Sequence, residues 1–149
     1  MRSLSNEAAP DEAPQAATYL GDLQTSIRSF FAVEVDPQNV AGGLTQSRVA
    51  FEEIESSFAL MNQLVENATD PADIGLKSEQ FAAMENHMTA LDAWVDVHAG
   101  FFSELDACGM DTSGMLGACE YEVLDFYETA LVDAALPVND TWDALGATL

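Results

Sequence analysis

The sequence predicts an all-α protein. The expected form is an antiparallel four-helix bundle with a flexible acidic arm over residues 1–14 and a short C-terminal helix, the bundle being one domain over 15–149. Three observations predict it. Apolar residues recur at three- and four-residue steps in four long stretches, the period of amphipathic helices. Short segments holding proline or glycine separate those stretches, which makes neighbouring helices antiparallel. No stretch alternates apolar and polar residues as a half-buried strand does.

The arm carries Pro10 and Pro14 among Glu, Asp and Ala, a composition that packs poorly. Helix 1 is expected over Gln15 to Glu34, with Ala17, Leu20, Leu23, Ile27, Phe30 and Phe31 on its apolar stripe. Asp36-Pro37 and Gly42-Gly43 are turn signals, so helix 2 is expected to start near Thr45 as N-cap. It carries Phe51, Ile54, Phe58, Met61, Leu64, Val65 and Ala68 and ends in the segment Thr69 to Leu76. Helix 3, capped by Ser78, is the clearest. Phe81, Met84, Met88, Leu91, Val95, His98, Phe102 and Leu105 follow steps of 3, 4, 3, 4, 3, 4 and 3, a heptad seam. Trp94 and Phe101 widen that stripe, which marks a central helix with more than one neighbour; Gly100 weakens it locally. Helix 4 is expected from Met115 to Leu136, with Leu116, Cys119, Val123, Phe126, Ala130 and Ala134 as its seam and Pro137 as its stop. A short amphipathic helix carrying Trp142 and Leu145 then closes the chain.

Charge is the second strong signal. The chain has 26 acidic residues against 4 basic ones (Arg2, Arg28, Arg48 and Lys77), a net charge of -22. In dilute solution such a domain repels itself. At an ionic strength of ~1 M the Debye length is ~3 Å and that repulsion is largely screened. The acids are spread along the whole chain rather than clustered. In this respect the composition resembles that of proteins of extremely halophilic archaea and their viruses, which implies a high-salt setting and no particular family. No basic patch exists to meet phosphates, so direct nucleic-acid binding is not expected. No run of 18 apolar residues suggests a membrane span. The N-terminal stretch MRSLSNEAAPDEAPQ lacks the apolar core of a signal peptide. These features give the cytoplasm of a high-salt organism as the expected location, with incorporation into a virion as a variant.

Candidate chemistry is sparse. His87 and His98 both fall on helix 3, about 16 Å apart along its axis, too far to share a metal. His98, in the seam, is expected to be a core histidine bonded to a side chain of helix 2 or helix 4. Glu-x-x-His is absent, which argues against a di-iron bundle site. The loop DACGMDTSGMLGACE has the glycines of a calcium loop but not its oxygen ligands in register. Cys108 and Cys119 flank the turn between helices 3 and 4 and are expected as two buried free thiols. Neither G-x-S-x-G nor a phosphate-binding glycine loop occurs. No catalytic residue, metal ligand or cofactor is assigned.

The positive clue is an excess of large aromatic residues. Phe30, Phe31, Trp94, Phe101, Phe102 and Trp142 are the candidate interface residues, because adjacent pairs cannot both enter one narrow seam. The expected function is a non-enzymatic structural or interaction protein, binding itself or other assembly proteins as a homo-oligomer, for example a small virion head, neck or tail component. The alternatives are a coat for storage granules, analogous to phasins in size and amphipathicity, and a bundle that binds a small ligand or cation.

Overall fold

The computed structural model describes residues 16–109 and 114–148. The acidic arm expected over 1–14 and the residues 15, 110–113 and 149 lie outside the described residues. Four helices follow one another: α1 Ala16–Phe31, α2 Val40–Asn67, α3 Ser78–Ala107 and α4 Ala118–Gly146, with a 3-10 turn at Pro71–Ile74 before α3. No strand occurs among the described residues. The chain is an all-α helical bundle.

Pairings along the helices fix their directions. Phe30 meets Phe51 and Ser26 Oγ lies 3.1 Å from Ser57 Oγ, so α1 and α2 run antiparallel. Arg48 near the start of α2 holds Asp106 at the end of α3 through two contacts of 2.9 and 2.8 Å. Phe101 packs on Tyr127 while His87 bonds Thr141, which sets α3 antiparallel to α4. The core is one cluster that includes Leu23, Ile54, Met61, Met84, Leu91 and Leu105, with Leu145 closing its far end. The whole expected seam of α3 from Met84 to Leu105 is buried. Gly100, a weak helix former, has a packing reason to be there. A Cβ at that position would stand 2.9 Å from the Tyr127 hydroxyl, which donates to the Glu104 carboxylate and ties α4 to α3.

Four expectations are corrected. First, α2 starts at Val40, five residues before Thr45. Asn39 is its N-cap, with Oδ1 accepting from Gly42 N at 3.1 Å, while Thr45 Oγ1 donates to Ala41 O inside the helix. Gly42 and Gly43 therefore lie in the first turn. A Cβ on Gly43 would stand 2.9 to 3.1 Å from Val35, including its Cα, so glycine there lets the incoming strand of chain pass close.

Second, Pro137 does not end α4: the helix runs on to Gly146, and the segment expected as a separate C-terminal helix is its last part. A proline removes the bond to the carbonyl four residues earlier. Asp133 and Pro137 are both exposed, so that carbonyl stays open to solvent and the helix continues.

Third, α4 is rotated from the expected seam. Leu116 and Val123 are buried and Ala134 packs on the core as expected, but Cys119, Phe126 and Ala130 are exposed; Glu120 and Leu145 are buried in addition, with Tyr127, Leu131 and Val138 packed against the core. Glu120 can be buried because its Oε1 accepts from Gly117 N at 2.7 Å, capping the helix.

Fourth, Cys108 and Cys119 are not free thiols but a disulfide, 11 residues apart in sequence. The close of α3 and the start of α4 bring their Cα atoms to 5.7 Å, inside the range a disulfide spans. Cys119 is exposed rather than buried.

Candidate functional site

The helices do not close evenly. Packing is heaviest between α3 and α4 and between α1 and α2, while α1 and α4 face each other across a groove of about 180 Å³ floored by α3. Gln24, Ile27 and Phe31 come from α1; Ala135, Val138, Asn139 and Trp142 come from α4. His87, Leu91 and Trp94 form the floor.

His87 is the polar residue that defines this floor. It is 1% exposed and its ring lies 5.6 Å from that of Trp142. Nδ1 stands 2.8 Å from Thr141 Oγ1. The single hydroxyl proton of Thr141 also has helix carbonyls within reach, Pro137 O at 2.8 Å and Val138 O at 3.2 Å. With the hydroxyl proton on a helix carbonyl, Thr141 accepts from His87 Nδ1–H and Nε2 is a lone-pair acceptor; with that proton turned to Nδ1, the tautomer is reversed. Nε2 is buried and has no hydrogen-bond partner among the described residues. Burial lowers the pKa of the ring from 6.5 to about 4, so it is neutral at neutral pH.

His98 serves a different purpose. Its Nδ1 lies 2.9 Å from Trp94 O in its own helix, not against a side chain of α2 or α4 as expected. Rings of Phe30, Phe51 and Trp94 stand 4.1 to 5.7 Å away, centroid to centroid. Burial lowers its pKa, and the hydrogen bond to Trp94 offsets part of that shift. It is a neutral member of an aromatic core.

The six candidate interface residues separate in the structure. Trp94, Phe101 and Phe102 are buried within the chain, and Phe30 packs half-buried against Phe51, Trp94, His98 and Phe102. Phe31, 67% exposed, and Trp142, 39% exposed, stand on opposite walls of the groove. Beyond Trp142 the exposed side of α4 carries Phe126, Val132 and Leu136. Sequence reasoning placed His87 only as a histidine on α3 and missed Thr141 altogether. A signal for His87 was present: Met84, His87, Leu91, Trp94, His98, Phe101 and Leu105 make a second heptad seam on the same helix.

Among the described residues no three His, Cys, Asp or Glu side chains converge to hold a metal ion. No described helix is long and apolar enough to cross a membrane. The chain matches no known family model, no curated protein and no solved structure.

Proposed function

We propose that this chain is a non-enzymatic assembly subunit of a high-salt system that associates with copies of itself through the outer face of α4. The observation that carries the reading is the exposure of large apolar groups there: Phe126 is 75% exposed, and Val132 and Leu136, one turn apart, both face solvent. Phe31 and Trp142 extend this apolar surface toward the groove rim. Two copies of net charge -22 repel each other in dilute buffer. In molar salt the repulsion is screened, and the apolar faces can meet. A surface disulfide persists where thiols are not kept reduced. That favours an assembly working outside a reducing cytoplasm, such as a released particle.

Light scattering on a sizing column in molar KCl tests the proposal. A defined multimer is expected, and Leu136→Glu should dissociate it without loss of helicity. A monomer at all concentrations for the unmodified chain would refute it.

A further inference from the structure

The floor of the α1/α4 groove holds a polar group that the fold leaves unused. In the tautomer in which Nδ1–H donates to Thr141, Nε2 is a buried lone pair to which no described residue donates. Buried acceptors in folded chains are nearly always satisfied, and an unsatisfied one is costly. The residues around it narrow what could satisfy it. Ile27, Phe31, Leu91, Trp94, Val138 and Trp142 offer apolar and aromatic surface, Gln24 and Asn139 offer amides, and among the described residues no charged side chain lines the groove.

An anion would meet no cationic side chain in the groove and no donor on Nε2 in this tautomer. A cation would be drawn to the chain but would meet no carboxylate in the groove to pair with. A neutral group with one N–H or O–H matches the acceptor. Size gives the rest: the groove encloses about 180 Å³, and an apolar cavity of about 150 Å³ takes up benzene. Flat indole side chains on the floor and one wall favour a flat ring.

We propose that the α1/α4 groove is a binding site for a small, neutral aromatic molecule of phenol or indole size, whose single N–H or O–H donates to His87 Nε2 while its ring packs on Trp94 and Trp142. The site lies within one chain and does not depend on self-association.

Calorimetric titration of the full chain in molar KCl at neutral pH, with indole and with benzofuran, tests this. Benzofuran has nearly the same shape and no donor. Indole should bind about tenfold more tightly, the worth of one buried hydrogen bond. Its binding should move the ¹⁵N resonance of His87 Nε2. His87→Phe should abolish the preference for indole over benzofuran. Equal binding of the two probes by the unmodified chain would overturn the proposal, since the groove would then be a merely apolar slot. So would failure of both to bind, with Nε2 already hydrogen-bonded to water.

Discussion

Acidification in molar KCl should destabilise this protein through His87, and the sign follows from its burial. In the unfolded chain the ring takes up a proton as pH falls through 6.5; in the folded chain it resists until about 4. The unfolded state therefore binds more protons across that window, and stability rises with pH there. The contribution is fully present above pH 6.5 and is lost progressively down to about pH 4. A displacement from 6.5 to about 4, at 1.36 kcal/mol per pH unit, gives at most about 3 kcal/mol. His98, also lowered by burial, adds a loss of the same sign. Carboxylate repulsion acts in the opposite sense on acidification, and salt at ~1 M largely removes it. Urea unfolding followed by circular dichroism, at fixed KCl and at steps from neutral pH down to about pH 4, reads the loss. His87→Phe should fall less steeply than the unmodified chain, retaining only the part due to His98. If the two profiles ran parallel, or if His87 titrated near 6.5 by NMR, the neutral buried ring and the Nε2 acceptor inferred from it would both be wrong.

Two further predictions concern the connection between α3 and α4. Reducing the Cys108–Cys119 disulfide, which closes an 11-residue separation, should cost up to about 3 kcal/mol by loop-closure entropy, read as a drop in urea midpoint on adding reductant; an unchanged midpoint would mean the bond constrains little. Asn39 Oδ1 accepts from Gly42 N, capping α2, and from Gly114 N at 2.6 Å, tethering the same connection. Asn39→Ala should cost about 2 kcal/mol, the sum of a cap and a hydrogen bond, whereas Asn39→Asp keeps an acceptor and should stay close to the unmodified chain. Equal melting temperatures for the two variants would show that the tether is inert.

What the sequence disclosed depended on how many apolar residues voted for each register. In α3 eight seam positions agree, and from Met84 onward all are buried. In α2, Phe51, Ile54, Phe58, Met61 and Val65 do the same. In α4 few large residues vote, and two of them misled. Helical spacing turns Cys119 and Phe126 inward, although Cys119 serves a surface cross-link and Phe126 is the most exposed large apolar residue described. The helix is set instead by a buried acid, Glu120, whose carboxylate caps Gly117. Hydropathy gives no hint that an acid will be buried when its partner is a backbone N–H three residues back. The start of α2 was missed for a related reason. Gly42-Gly43 suggests a turn by composition, but Asn39 caps from outside while Val35 needs the space that a side chain at 43 would fill.

The groove depends on α4 continuing through Pro137. Taking Pro137 as a helix stop places Thr141 beyond the end of α4, with no defined relation to α3. Because the helix continues through Pro137, Thr141 sits one turn later and returns its hydroxyl proton to Pro137 O. With that bond made, Thr141 is an acceptor toward α3, and the matching His87 tautomer donates from Nδ1 and presents a bare Nε2. The same continuation carries Trp142 round to the groove wall beside His87. The acceptor, its orientation and its aromatic neighbour thus share one cause: an exposed proline that the helix tolerates. A Thr141→Val substitution keeps the shape and removes the acceptor for Nδ1–H. Its effect on the His87 tautomer would therefore separate a chain of hydrogen bonds that sets the site from mere packing around it.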